Sequence, residues 1–283
     1  MVLAIMYLIS WKKKNISVKM LVKAVIAQFL IAVILVKVPA GRYVVSKVSD
    51  AVTSVINCGQ DGLSFVFGSL ADSTAAAGSV FAIQVLGNIV FLSALVSFLY
   101  YIGILGFVVK WIGKAVGKLM GTSEVESFVA VANMFLGQTD SPMPVAMVAL
   151  VAAVNKLLGV CGISLQQVFS YVFASFGFFL GLDPSEILLE GNLLGSKLVL
   201  NEFVAFQQLG SMISSMDYRT GMICAISLCG FANFSSLGIC VSGIAVLCPE
   251  KKSTLARLVF KAMLGGVAVS LISAMTVGLV TLC

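Results

Sequence analysis

The chain has 283 residues, of which 60% are hydrophobic and only 11% are charged, against roughly 25% charged residues in a soluble domain. This composition excludes an ordinary soluble protein and indicates an integral membrane protein. The formal net charge of +6 does not indicate nucleic-acid binding, because the lysines cluster between apolar runs, where the positive-inside rule places them. Recurring apolar stretches favour an all-α fold with multiple transmembrane helices over a barrel.

Histidine is absent from the chain. Its absence excludes Ser-His-Asp and Cys-His catalysis and removes the commonest metal ligand. The seven cysteines form no CxxC pair and lie mostly in apolar runs, so we expect buried, unreactive thiols rather than a disulfide framework or a metal cluster. An enzyme within the membrane is the weakest functional hypothesis, since no nucleophile–base pair is evident.

The first 38 residues predict scaffold helices. Residues 1–11 are apolar but too short to span a membrane, and basic residues follow them rather than precede them, which does not fit a secretory signal peptide. Residues 24–38, with 18–22 ahead of them, form the second candidate helix. The basic residues of the intervening loop place it in the cytoplasm; they are Lys12, Lys13, Lys14, Lys19 and Lys23.

Residues 39–78 are punctuated by Gly and Asp, which predicts amphipathic helices at the membrane interface. The next region, residues 79–121, contains the clearest predicted span, because residues 80–109 carry no charge. A basic helix at the cytoplasmic surface follows it, with three lysines spaced four apart on one face: Lys110, Lys114 and Lys118.

Residues 122–158 predict a re-entrant hairpin and a short helix after it. Ser123 and Glu126 fit a capping box, and the helix that they begin runs to Phe135. A helix of this length reaches about 20 Å, to roughly the middle of the bilayer. The chain then breaks at residues 137–144.

Asp140 is the only charged residue between Glu126 and Lys156. An ionisable group at membrane depth is costly and therefore indicates a functional site. Non-helical backbone persists at that depth only where it is buried in protein or lines a wet cavity.

Residues 159–283 predict a transport region with a second hairpin. Residues 165–182 form an aromatic-rich helix that closes at Gly181. Asp183 is then the predicted N-cap of the next helix, with Pro184 at its first position. Ser185 lies as many residues before Glu202 as Ser123 lies before Asp140. Two half-helices of equal length suggest internal repeats around a midplane site, although chance also supplies such a match.

Residues 220–249 are uncharged and carry a polar group near their centre, and residues 262–283 form the last predicted span. The basic residues between them belong to the cytoplasmic side. The lysine clusters together place both termini outside the cytoplasm, in a multi-pass protein of the plasma membrane.

Two carboxylates, Asp140 and Glu202, have no cationic partner nearby in sequence. Amide and hydroxyl groups accompany them, and the set suits a neutral, hydroxyl-rich, amide-bearing solute. The alternative is structural: helix-breaking loops whose side chains only satisfy freed backbone, or solvated loops. The accompanying groups are Gln138, Thr139, Asn201, Asn233 and Ser236.

Three motifs resemble those of the concentrative nucleoside transporter family. Gly137-Gln-Thr-Asp-Ser-Pro142 is similar to its Gly-Gln-Thr-Glu-Ala-Pro motif, and Asn201-Glu-Phe-Val-Ala-Phe206 to its Asn-Glu-Phe-Val-Ala-Tyr motif. Cys229-Gly-Phe-Ala-Asn-Phe-Ser-Ser236 resembles its Cys-Gly-Phe-Ala-Asn-hydrophobic-Ser-Ser motif. The three occur in the family's order, and the resemblance extends over essentially the whole chain.

The resemblance implies a cation-coupled nucleoside importer that forms a homotrimer in the lipid bilayer, with Na⁺ or H⁺ as coupling ion and no other cofactor. Gln138, Thr139 and Asp140 would contact the base. Asn133 and the carbonyl group of Leu136 would contribute to the sodium site. The ribose would be held by Glu202, Asn233 and Ser236, with Phe231 beside them.

Two departures from the family pattern stand out. Asp140 replaces the usual glutamate, which shortens the side chain by one methylene. Two transmembrane helices that in the family follow the first motif, and supply further sodium ligands and one wall of the base pocket, are absent here. The absence of these helices predicts little or no sodium-stimulated uridine uptake by the chain. The alternative function is therefore a non-transporting remnant or interaction subunit. The nucleoside preference stays open.

Overall fold

The computed structural model of the chain describes residues 1–10, 13–71, 81–135 and 152–282. Within these ranges the ordered elements are helices and no strand occurs, which confirms the predicted all-α class for the described part of the chain. The α-helices are α1 (Val2–Ile9), α2 (Val18–Val36), α3 (Pro39–Phe67), α4 (Phe81–Tyr101), α5 (Ile104–Met120), α6 (Glu124–Phe135), α7 (152–158), α8 (Leu165–Leu180), α9 (Ile187–Val199), α10 (Glu202–Met212), α11 (Tyr218–Leu228), α12 (Phe234–Leu247) and α13 (Lys252–Leu282).

Several of these helices are long and apolar enough to cross a bilayer. Val18–Val36 and Pro249–Leu282 qualify by themselves. Two bent pairs qualify when each pair is taken together: Val90–Tyr101 with Ile104–Met120, and Ala152–Cys161 with Leu165–Leu180. Spans of this length agree with the integral membrane protein that the composition predicts.

The chain divides into two compact units. Unit 1 comprises Met1–Ser17, Val25–Val36 and Gln138–Cys283, and unit 2 comprises Val18–Ala24 and Lys37–Gly137. Unit 1 therefore contains α8 to α13, which carry the second and third motifs.

In unit 2 the predicted span over residues 80–109 is not one straight helix. The chain turns at Gly103, which has φ 82°, and the two flanking helices differ in direction by 79°. Glycine adopts this left-handed conformation without the steric cost that a Cβ brings. The three lysines predicted to share one face lie on α5, as expected, and all are exposed.

The predicted amphipathic helices of residues 39–78 are replaced by one continuous helix, α3, of 29 residues. Proline occupies its first turn, where the missing N–H costs no helical hydrogen bond. The glycines inside α3 do not interrupt the helix. Residues 72–78 lie outside the described ranges.

The capping box at the start of α6 is confirmed. The backbone N–H of Ser123 donates to Glu126 Oε2 at 3.0 Å, and the N–H of Glu126 donates to Ser123 Oγ at 3.2 Å. A second capping box, which the sequence analysis missed, begins α8. There the N–H of Ser164 donates to Gln167 Oε1 at 2.8 Å, and the N–H of Gln167 donates to Ser164 Oγ at 3.2 Å. α8 ends at Gly181 as predicted, with φ 77°.

The start of α9 was predicted wrongly. Asp183 is not its N-cap, because residues 184–186 form a turn and the helix begins at Ile187. The carboxylate of Glu186 accepts a hydrogen bond from Thr220 Oγ1 of α11 at 2.6 Å. A contact with a distant helix thus takes the place of the expected local cap.

The core of unit 1 is formed by residues of several helices packed together. α8 and α9 lie closest, because α9 carries Gly191 and Gly195 four residues apart on one face. A Cβ at Gly191 would lie 2.5 Å from the carbonyl oxygen of Ser170, and one at Gly195 would lie 2.8 Å from that of Gln166. Small residues at this spacing allow helix backbones in membranes to approach closely. Other core residues are Phe173, Leu193, Leu194, Leu198, Leu209, Leu228 and Leu271.

We expect Gly191→Ala to lower the melting temperature of the purified protein in detergent. The added methyl group meets the backbone of α8, which cannot rotate away, and such overpacking costs about 1–3 kcal/mol. Gly210→Ala in α10 is the matched control, since a Cβ there meets no atom within 4 Å. The control should stabilise the helix by up to about 1 kcal/mol. Equal melting temperatures for both variants would contradict the close packing.

Candidate functional site

Two helix breaks in unit 1 carry the polar residues of the second and third motifs. The first separates α9 from α10 at Leu200 and Asn201, and the second separates α11 from α12 at residues 229–233. The second break falls within the uncharged residues 220–249, where the sequence predicts polar, broken backbone. Each break therefore leaves helix termini whose backbone groups need partners inside an apolar protein.

An asparagine caps the helix after each break. Asn201 Oδ1 accepts a hydrogen bond from the N–H of Val204 at 3.0 Å, and Asn233 Oδ1 accepts one from the N–H of Ser236 at 2.8 Å. Asparagine is among the preferred N-cap residues, because its side-chain oxygen satisfies an N–H of the first turn. The two asparagines are thus required for the local structure.

A side-chain hydrogen bond joins the two breaks. Asn233 Nδ2 donates to Glu202 Oε2 at 2.7 Å, and Ser235 Oγ donates to the carbonyl oxygen of Leu200 at 3.1 Å. The structure therefore brings together three of the predicted site residues, Glu202, Asn233 and Ser236. Glu202 lies 31 positions before Asn233 in the sequence.

Asn233 is held in one orientation. It is 1% exposed, its oxygen also accepts from Ser236 Oγ at 2.7 Å, and its nitrogen faces the carboxylate of Glu202. Both ends of the amide are thereby assigned by their partners. Glu202 is partly buried at the first position of α10.

Phe231 lies in the second break, and 42% of its surface is exposed. Gly230 before it has φ 101°, a conformation that favours glycine, so the chain can turn sharply between Cys229 and the capping asparagine. Phe231 is therefore partly accessible, two residues before the capping Asn233.

Lys197 is a buried residue of this region that the sequence analysis missed. It is 2% exposed, and its Nζ donates to the carbonyl oxygens of Ser227 and Cys229 at 2.8 and 3.1 Å and to Ser270 Oγ at 3.1 Å. The two carbonyls belong to the end of α11, where the break removes their helical partners. The signal was available in the sequence, because a lysine in an apolar segment is as unusual as a carboxylate.

The other predicted site residues are not brought to this cluster by the described structure. Asn133 belongs to the last turn of α6, but its side chain is not described. Leu136, Gln138, Thr139 and Asp140 lie outside the described residues. Within the described ranges, no group of three Cys, Asp or Glu side chains is arranged to hold a metal ion.

Two family models match the chain. The model described as the N-terminus of Na⁺-dependent nucleoside transporters matches residues 1–70, and the model described as their C-terminus matches residues 141–278. The second match includes both helix breaks and every described residue of the cluster. Residues 71–140 lie between the two matched ranges.

Relatives align along nearly their whole length. An uncharacterized transporter of Haemophilus influenzae is 29% identical, with 98% of this chain and 95% of the relative covered. The nucleoside permease NupC of Helicobacter pylori is 26% identical, with 98% and 96% covered. The first alignment runs over 395 positions whereas this chain has 283 residues, so the relative carries internal residues that this chain lacks.

Solved structures show the same fold. CNTnw in an inward-facing, substrate-bound state superimposes with a TM-score of 0.88 and 26% identity, with 99% of this chain and 97% of that chain covered. A CNTnw variant in an outward-facing state gives a TM-score of 0.87 and 25% identity. The two family models, these relatives and this shared fold agree with the three motifs, and the chain belongs to the Na⁺-dependent, concentrative nucleoside transporter family.

Proposed function

We propose that the chain binds a nucleoside at the two helix breaks of unit 1 and imports it across the plasma membrane together with Na⁺. The observation that carries this proposal is the hydrogen bond between Glu202 and Asn233. This bond joins the break between α9 and α10 to the break between α11 and α12. At these helix ends a polar solute meets donors and acceptors in fixed positions.

The ribose is the part of a nucleoside that fits Glu202 best. An ionised carboxylate offers about four acceptor positions on two oxygens, and the bond from Asn233 is made to one oxygen only. Neighbouring hydroxyl groups of a ribose are donors that such a carboxylate can accept together. Ser236 and the ring of Phe231 complete the proposed ribose site.

The base is proposed to contact Gln138, Thr139 and Asp140 of the first hairpin. Amide and hydroxyl side chains can both donate and accept, which matches the mixed edge of a nucleobase. These three contacts are supported by the motif that the residues form.

Sodium is the coupling ion that the family's description names, and we propose that Asn133 and the Leu136 carbonyl group contribute to its site. The proposed place is the C-terminal end of α6 (Glu124–Phe135). Carbonyl groups at the end of a helix lack helical partners and carry partial negative charge, so they favour a cation. The homotrimer implied by the resemblance stays a prediction, and so does H⁺ as the alternative coupling ion.

Lys197 is proposed as a positioning residue for this site. Two of its three hydrogen bonds connect α9, which precedes Glu202, to the end of α11, which precedes Asn233. The third reaches Ser270 of α13. The ammonium group supplies the donors that the break removes from the helix. The distance between the two ribose-binding side chains therefore depends on a residue that is not proposed to touch the nucleoside.

Glu202→Gln tests the ribose site. A hydrogen bond to a charged acceptor is worth about 1.5–3 kcal/mol, so uridine binding should weaken by about ten- to a hundredfold, as measured by titration calorimetry in detergent. Glu250→Gln, at an exposed glutamate, is the control and should bind as the wild type does. Equal affinity of the wild type and Glu202→Gln would remove Glu202 from the site.

Lys197→Met tests the positioning role. The substitution removes the donor of the buried Ser227 carbonyl group, and an unsatisfied buried group costs about 1–3 kcal/mol. The Cys229 carbonyl group keeps a donor, Ser270 Oγ at 2.7 Å. We expect a lower melting temperature together with weaker uridine binding, because the breaks lose their fixed separation. Lys252→Met, at an exposed lysine at the start of α13, should change neither quantity. Full affinity for uridine in Lys197→Met would show that this lysine is needed for stability alone.

Uptake into proteoliposomes decides between the transporter and the non-transporting remnant. The absent helices alone predict little or no uptake, but the family of the chain favours the transporter. We therefore expect an inward Na⁺ gradient to stimulate uridine uptake by the wild-type chain, and Glu202→Gln to reduce the uptake. A chimera that carries a relative's additional internal residues serves as the comparison. Uridine binding without uptake by the unmodified chain, with uptake restored in the chimera, would favour the remnant.

A further inference from the structure

Glu190 is a buried carboxylic acid of α9 that the proposed nucleoside site does not use. Its side chain is 0% exposed. Neither of its oxygen atoms has a hydrogen-bond partner within the described ranges of the chain. Such a group is unusual in a folded protein, because buried polar atoms are nearly always satisfied.

No cation is hydrogen-bonded to the Glu190 oxygens within the described ranges of the chain. Lys197, seven residues further along the same helix, attracts the carboxylate electrostatically, but this effect is smaller than the cost of burying the charge. Its Nζ is bonded to three oxygens elsewhere. On α11, the side chains of Cys224 and Ser227 face the carboxyl group. The hydroxyl group of Ser227 donates instead to the Cys224 carbonyl oxygen at 2.8 Å.

The other packed helices contribute no cation either. α8 carries no Asp, Glu, Lys or Arg, and its only tyrosine, Tyr171, is 70% exposed. The two nearby acids along the chain, Glu186 before α9 and Glu202 at the start of α10, accept hydrogen bonds from Thr220 and Asn233. Arg219 of α11 is bonded to Gly181, Gly278 and Thr281, and α12 carries no charged side chain.

An ionised carboxylate in this position would be far more costly than a neutral acid. Moving an isolated charge into an apolar medium costs many times more than moving a neutral polar group, and a buried carboxyl group without a partner becomes neutral instead. A bound proton removes this charge. Within the described residues no group of three Cys, Asp or Glu side chains is placed to hold a metal ion instead.

We propose that Glu190 is a proton-binding site that holds α9 against α11. The bound proton is the ligand, and it permits the carboxyl group to pack between the two helices that lead to Glu202 and Asn233. This inference depends on the packing of α9 and α11 and not on the proposed function, so it can fail while nucleoside transport stands.

The proposal has a consequence for stability against pH. A glutamate in the unfolded chain releases its proton near pH 4.3, whereas the folded chain keeps it. Above that pH the folded state binds one more proton than the unfolded state, so raising the pH by one unit disfavours folding about tenfold. Glu190→Gln is neutral at every pH and removes this contribution.

The first test is the melting temperature in detergent between about pH 5 and about pH 8, on either side of neutrality. We expect the wild type to lose more stability than Glu190→Gln as the pH rises, and the exposed control Glu250→Gln to follow the wild type. Parallel curves for the wild type and Glu190→Gln would overturn the proposal.

The second test observes the proton directly. The infrared difference between the wild type and Glu190→Gln at neutral pH should contain the carbonyl band of a protonated carboxylic acid, and the difference between the wild type and Glu250→Gln should not. Absence of the band in the first difference would show an ionised Glu190. Glu190→Met is a second neutral variant, and failure of both neutral variants to fold would also contradict the proposal.

Discussion

The need to satisfy backbone groups at broken helices inside an apolar protein governs this structure. A helix that ends at membrane depth cannot leave its terminal N–H and carbonyl groups to water. Asn201 and Asn233 supply acceptors for the helices that follow the breaks, and Lys197 supplies donors for the carbonyl groups at the end of α11. The same side chains then determine where polar groups are available to a solute.

The cluster is rigid because its groups are bonded in more than one direction. Asn233 caps α12, receives the hydroxyl group of Ser236 and donates to Glu202. A solute that enters therefore meets donors and acceptors whose positions are already fixed, which lowers the cost of ordering them on binding. The close packing of α8 against α9 at Gly191 and Gly195 also fixes the position of α9, which leads to Glu202.

The shorter chain affects the two sides of the proposed nucleoside site differently. The ribose side is built from local caps and from one bond between the breaks, all of which belong to residues 187–247 of unit 1. These contacts therefore form without the additional internal residues of the relatives. The proposed base contacts and sodium site belong to the predicted first hairpin, next to which the family pattern places the additional helices.

The sequence by itself determined the features that depend on a few neighbouring residues. Ser123 and Glu126 form their capping box and Gly181 ends α8, because both rules act within one helical turn. The polar breaks at Asn201 and Asn233 were also predictable, since asparagine in an apolar run indicates an interruption of the helix. The motifs that surround them were sufficient to indicate the family.

The tertiary structure alone decided the features that depend on partners far away along the chain. Glu186 bonds Thr220, so α9 begins later than its local sequence indicates. Lys197 bonds groups on α11 and α13, and Glu190 faces α11 without a partner in the described structure. Local rules cannot predict these outcomes, because a buried charged group is stable only through the atoms that packing brings to it.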